Sequence, residues 1–277
     1  MAKGIGLIGN FKGKVGNMVG YKLTDSNSGN NQGIRVYQPI VKNPKTAAQA
    51  EQRAKLAPIN ATYRALKMII DRGNEGLPYG NKSRLAWLKQ AFKAESMPWV
   101  EKGKVVEYPV GCQLTKGSLA GVVFEATPDD FAISCTGVTS ETTLNTVASL
   151  STALLAGYPG LKLGDQLTIA CRTAVEGALA FMIKSFVLDD TDNTAITGFR
   201  GGVNSISFEP DRYAGAGVAI ISREGANGEH LRSTTYLSID PDMKIDAPYD
   251  ADSKAAAIES YRSSAAVNAD WAEESIQ

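Results

Sequence analysis

The segment KGIGLIGNFKGKVGNMVGYKL, residues 3–23, poses a choice between two folds. Its first run, Gly4-Ile5-Gly6-Leu7-Ile8-Gly9, has the G-x-G-x-x-G spacing that joins a buried strand to a helix whose N-terminal amides hold a pyrophosphate. That geometry needs a strand before the glycines and a helix after them. Only Met1, Ala2 and Lys3 precede Gly4, and residues 9–16 hold too much glycine to open a helix, each interior Gly costing about 1 kcal/mol against Ala. A P-loop reading also fails: Val15 follows Gly13-Lys14 where Ser or Thr must meet magnesium, and Ile8 stands where the leading glycine belongs. The segment reads instead as β structure. Gly16-Asn17 is a turn dipeptide, residues 18–23 alternate as a strand, residues 24–33 form a polar Asn/Ser/Gly loop, and residues 34–37 alternate again. Two short ribbons of low apolar content do not stand alone, so residues 1–42 are expected to form a β-ribbon arm that pairs with the rest of the chain or with a neighbouring molecule. Val19, Tyr21, Val36 and Tyr37 are the candidate subunit contacts, and no cofactor is expected.

At 277 residues and 43% hydrophobic content the chain has material for two packed cores. No apolar stretch approaches the roughly 18 residues of a membrane span, and the start lacks the apolar core of a secretory signal, so no membrane partner is expected. The expected location is a virion or the bacterial cytoplasm. Cys112, Cys135 and Cys171 are an odd, widely spaced set, which suits buried thiols rather than disulfides or a zinc site. The zero net charge conceals a division: residues 1–107 carry 18 Lys and Arg against 7 Asp and Glu, and the remainder 11 against 22. A basic front half suits an acidic partner surface or nucleic acid, with Lys12, Lys14, Lys22, Arg35, Arg53, Lys55, Arg64 and Lys67 as the candidate contacts. Attraction between the two halves of one molecule, or of adjacent copies, also explains the asymmetry, and the spread of the lysines without a dense basic run favours it.

Residues 43–96 read as a basic helical region. Asn43-Pro44-Lys45-Thr46 is a helix start, Pro58 is expected to kink or break the helix, and a second segment over 59–71 ends at Arg72-Gly73-Asn74. A third helix is expected over 82–94, with Leu85, Leu88 and Phe92 as its apolar face. From Met97 the texture turns to β, with short β-branched or aromatic runs at 105–110, 121–126, 131–135, 166–172, 178–188, 205–208 and 217–222. Their spacing predicts a β-sandwich over 97–248, with a tight corner at 159–165 leading into the fourth run. Residues 249–277 read as a polar tail with a short helix near 255–263. The expected fold class is therefore α+β: an N-terminal β-ribbon plus helices, followed by an antiparallel, immunoglobulin-like β-sandwich.

Enzymatic signatures are missing from the sequence. His230 is the single histidine and sits beside a Gly-rich turn, with no G-x-S-x-G or S-x-x-K elsewhere. The acidic run Asp189-Asp190-Thr191-Asp192 resembles a calcium loop, yet counting from Asp190 the sixth position is Ala195 and the twelfth Gly201, where Gly and Glu are needed. Such aspartates, like Asp240 and Asp242, suit turns closed by their own side chains. No metal site and no enzymatic activity are expected.

The motifs GKVGNMVGY (13–21), NPKTAAQAEQRAKL (43–56) and YPVGCQLTKGSLAG (108–121), and more loosely GVAIISREGANGEHLRSTTYL (217–237), resemble a family of uncharacterised proteins from Bacteroidota and their phages. Members of that family open with a Gly-Lys-x-Gly hairpin, continue with an Asn-Pro-x-Thr-x-x-Gln helix start and end in immunoglobulin-like β modules. The resemblance covers the first 120 residues well and the rest weakly, and the long 24–33 loop departs from the pattern. It implies no catalytic activity. It implies a phage structural or virion-accessory protein that assembles as a homo-oligomer or with other phage structural proteins. Two other readings stand beside it: a nucleic-acid-binding protein using the basic half, and a sugar- or receptor-binding sandwich presenting Trp99 or Trp271.

Overall fold

The computed structural model describes residues 13–22, 32–37, 46–226, 228–246 and 251–263. The fingerprint at 4–9, Lys12, most of the 24–33 loop, Asn43 to Lys45 and Trp271 lie outside the described residues, as does the side chain of Lys22. The chain divides into two compact units, Met1–Lys45 and Thr46–Gln277. In the first, β1 (Gly13–Val15), β2 (Met18–Lys22) and β3 (Gln32–Val36) form one antiparallel sheet in that order. The Gly16-Asn17 turn joins β1 to β2, and the amide of Tyr37 donates to the Asn17 carbonyl at 2.6 Å.

The second unit begins with α1 (Ala47–Ala65), α2 (Lys67–Ile70) and α3 (Asn81–Ala91). Helix α1 starts later than the 43–46 motif implies, because extended Thr46 caps it by accepting from the Gln49 amide at 3.3 Å. The break expected at Pro58 falls elsewhere. The helix runs through Pro58, which is buried with Ala50, Ala54, Ile59 and Thr62 on one stripe, and ends only at Leu66. Proline removes one backbone hydrogen bond, and burial of this stripe offsets that loss.

Next come β4 (Gln113–Thr115), β5 (Phe124–Ala126), β6 (Phe131–Ser134), α4 (Val147–Gly157), β7 (Gln166–Val175) and β8 (Ala178–Val187). The remaining elements are β9 (Phe199–Gly202), β10 (Ser205–Phe208), β11 (Tyr213–Glu224), β12 (His230–Arg232), β13 (Thr235–Tyr236), β14 (Ser238–Ile239), α5 (Pro241–Asp246) and α6 (Ala251–Ser263). Residues 105–110 form no strand: the Val110 amide donates to the Thr62 hydroxyl at 3.0 Å rather than to a neighbouring strand. Helix α4 replaces what the sequence reads as part of the β region. Thr146 and Ser149 close a capping box, and Val147, Leu150, Ser151 and Leu154 bury one face.

The order β12-β11-β7-β8, with β14 also on β11, makes the central sheet, and β5-β6-β10-β9 makes a second antiparallel sheet. Together with the helices they give a mixed α+β fold. Residue parity explains the layering. Leu167, Ile169 and Cys171 of β7 and Ala219 and Ile221 of β11 enter a core with the second sheet and α4. Ala170, Ala216, Val218 and Ile220, on the opposite face, enter a core with Ile59, Leu66, Ile70 and Trp87 of the helical segment. Helices and strands that follow one another along the chain thus share cores in space. The 159–165 corner is tied by Asp165, which accepts from the Lys162 amide and takes the Arg223 guanidinium in two bonds of 2.5 and 2.7 Å.

The central sheet packs tightly against the second sheet at Gly217. A Cβ there would lie 2.5 and 2.8 Å from ring carbons of Phe131, itself fully buried. Gly217→Ala is expected to cost about 1–3 kcal/mol through overpacking. A urea titration checks this, with a lower midpoint and an unchanged slope as the expected result.

Candidate functional site

Three surfaces carry the residues that sequence singles out. The first is the sheet of the N-terminal unit. Its register sets Lys14 opposite Val19 and Val19 opposite Arg35, while Val15 lies opposite Met18 and Met18 opposite Val36. Directly opposed residues share a face in an antiparallel sheet, and alternate residues change face. One face therefore carries Lys14, Val19, Tyr21, Arg35 and Tyr37, with the Lys14 ammonium 3.6 Å from the Tyr37 ring centroid. The other carries Val15, Met18, Ile34 and Val36, all exposed, Val36 at 71%. Of the expected contact residues, Val19, Tyr21 and Tyr37 fall on the polar-edged face and Val36 alone on the apolar one. The sequence reading passed over Val15, Met18 and Ile34; the signal was the alternation on both sides of Gly16-Asn17, legible once β1 is admitted as a three-residue strand.

The second surface is the outer face of α1. Arg53 and Arg64 are separated by three helical turns on the same side, and Lys67 follows just after the helix; all three are exposed. Lys55 leaves this set. It turns to Glu51 at 3.4 Å and lies 5.9 Å from the Trp99 ring centroid, while Lys254 of α6 reaches the same carboxylate at 3.2 Å and the same ring at 5.1 Å. Trp99 is half-buried with two ammonium groups near its ring rather than a bare aromatic platform.

The third surface is a cleft of about 1080 Å³ where the loop after α2 faces the end of the central sheet. Register places Val187, Gln166, Ser222 and Arg232 side by side across four strands. Arg72, Leu77 and Tyr79 line the facing wall, with the Arg72 guanidinium 5.2 Å from the Tyr79 ring centroid. Glu75 straps the loop to the sheet. Its carboxylate accepts from the Ser118 amide at 2.9 Å, the Ser118 hydroxyl at 2.9 Å and the backbone amide of Arg232 at 3.1 Å. Gly117 makes that approach feasible, since a Cβ there would run into the Arg232 carbonyl and the Glu75 carboxylate. Arg72 and Arg232 stand far apart in the chain, and no local spacing announces that they converge.

The remaining reactive groups are structural in their surroundings. His230 is exposed on β12 opposite Glu224, and both also line the cleft. The three thiols are buried, and loss of solvent pushes Cys112 up to about 12 and raises Cys135 and Cys171 as well, which disfavours the nucleophilic thiolate. Asp189, Asp192 and Asp240 each accept from a backbone amide two residues on, the turn role their sequence context predicts. Among the described residues, no group of three or more His, Cys, Asp or Glu is placed to hold a metal ion, and no helix is long and apolar enough to cross a membrane. No protein-family model, no curated protein and no solved structure matches this chain.

Hydrogen bonds from the Ser118 amide, then from the Arg232 amide and the Ser118 hydroxyl, lower the pKa of Glu75 against the opposing effect of burial. A carboxylate lowered in the folded state stabilises fully above its unfolded pKa and loses that contribution as pH falls through the folded one. Glu75→Gln is therefore expected to cost about 1 kcal/mol at neutral pH. The gap between the two proteins should close as pH falls below the ordinary carboxylate value of 4.5, as followed by urea unfolding across a pH series.

Proposed function

We propose that the protein is a non-enzymatic structural or accessory component of a bacteriophage particle, making repeated contacts with copies of itself or with other particle proteins through its N-terminal sheet and helices. The observation that carries this reading is the exposed apolar face formed by Val15, Met18, Ile34 and Val36. A three-stranded sheet gains independent stability by covering such a face, and the most economical cover is the same face of a second copy, related by a two-fold axis. The motif resemblance supports the phage setting, with the assembled particle or the host cytoplasm as its location. The two packed sheets of the second unit serve in this proposal as an immunoglobulin-like sandwich displayed outward.

A second reading draws on the exposed Arg53, Arg64 and Lys67, which follow one side of the α1 region and suit a phosphate backbone. Retention on duplex DNA at low salt, lost with a log–log slope of about −0.9 per phosphate neutralised and weakened by Arg53→Gln with Arg64→Gln, is its expected signature.

For the leading proposal, the double variant Ile34→Lys, Val36→Lys and a deletion of residues 1–42 should both abolish self-association, measured as mass by light scattering. Thermal unfolding of the Thr46–Gln277 core should be unchanged. Full assembly of either protein would refute the assigned contact.

A further inference from the structure

We infer that the cleft between the 72–79 loop and the end of the central sheet binds a small organic anion, its oxyanion group held between Arg72 and Arg232. Arg72 and Arg232 both line the same 1080 Å³ space, one from the loop and one from the sheet. Arg232 is half-buried on the sheet side, in register with Ser222 and Gln166, whose side-chain oxygens lie 3.4 Å apart. The surrounding acids are engaged elsewhere or stand off. Glu75 is occupied by Ser118 and by the backbone amide of Arg232, and Asp165 is occupied by Arg223. Glu224 and Glu229 also line the cleft, and none of the ion pairs among the described residues joins either of them to Arg72 or Arg232.

Two neighbouring cations facing one cavity, neither of them ion-paired to the carboxylates that line it, are an unfavourable arrangement in the free protein. Burial, and then the charge of Arg72, depress the pKa of Arg232, which marks the missing counter-charge. Convergent charges of this kind at a concave site point to a ligand that neutralises them. The planar guanidinium fork suits a carboxylate or a phosphate ester. The body of the ligand has apolar walls to lie on. Leu77, Tyr79 and Val187 line the cleft with 43%, 67% and 54% of their surface exposed. An oxyanion attached to an aromatic or aliphatic body matches both features.

Phenyl phosphate, inorganic phosphate and benzoate, titrated calorimetrically into the full chain against chloride at matched ionic strength, test the inference. Saturable binding of phenyl phosphate or benzoate above the chloride control is expected, weakened about tenfold or more by Arg72→Gln and by Arg232→Gln, the loss anticipated for a charge-assisted hydrogen bond. Arg200→Gln, which removes an exposed positive charge on β9 outside the cleft, should leave binding unchanged. Stronger binding of phenyl phosphate assigns a phosphate ester, and stronger binding of benzoate a carboxylate. Thermal unfolding without anion monitors folding of each variant, and removal of Arg72 relieves repulsion on Arg232. The inference is overturned if none of the three anions binds above chloride, if both cleft variants bind as the parent does, or if Arg200→Gln loses as much affinity as they do.

Discussion

The pairing of β7 with β11 is the constraint on which the larger unit depends, because both faces of this pair are covered. Odd-numbered residues of the two strands look toward the second sheet and α4, and even-numbered ones toward the helices. A strand buried on both faces has little tolerance for a slip of register, since moving by one residue would exchange the two sets of side chains between cores of different shape. Ala170, Ala216 and Val218 are small enough to admit Trp87 and the α1 stripe, while Phe131, Phe199 and Phe208 fill the opposite core. The ring of Phe199 stacks on that of Phe208 at 4.6 Å and meets the edge of Phe186 at 5.5 Å, so the second sheet is keyed by aromatic shape as well as by area.

The cleft follows from the same arrangement. The helical layer covers the apolar middle of the central sheet and gives way at the row Val187, Gln166, Ser222 and Arg232, where the strand sequence turns polar. The loop after α2 comes back over this row and is strapped by Glu75 to Ser118 and Arg232. Backbone-to-carboxylate bonds thus position the loop without consuming the guanidinium groups. The N-terminal unit shows the converse design. There both outer strands pair with β2, and one face of the sheet presents exposed apolar side chains. One surface brings two arginines together without an ion pair to either, and the other leaves apolar side chains exposed, so the partners proposed for them differ in kind: a small anion in a cleft, a protein surface on a flat sheet.

Much of the secondary structure was legible locally. The strand at 205–208 lies where its alternation predicts, those beginning at 166, 178 and 131 start as read, and α1, α3 and α6 overlap the helical segments within a few residues. Errors arose where tertiary partners overrode a local rule. Pro58 sits inside a helix whose buried stripe outweighs one missing hydrogen bond, Val110 finds the Thr62 hydroxyl in place of a strand, and the Ala- and Leu-rich α4 lay within a region whose composition otherwise reads as β. The candidate contacts were mixed for a related reason. Val19, Tyr21, Val36 and Tyr37 were grouped by hydrophobicity along the chain, whereas pairing sorts them by parity into opposite faces.

By itself, then, the sequence determined most of the segments that extend or coil, and that its aspartate clusters close turns. These depend on neighbours a few residues away, whose geometry is set by covalent connection and local hydrogen bonding. Only the tertiary structure decided that the helices lie on one face of the β7–β11 pair, that Lys55 leaves the basic stripe for Glu51 and Trp99, and that Arg72 and Arg232 converge on one cleft. Such juxtapositions arise from the order in which strands pair and layers stack, and that order is set by the summed burial of distant side chains rather than by any short stretch of the chain.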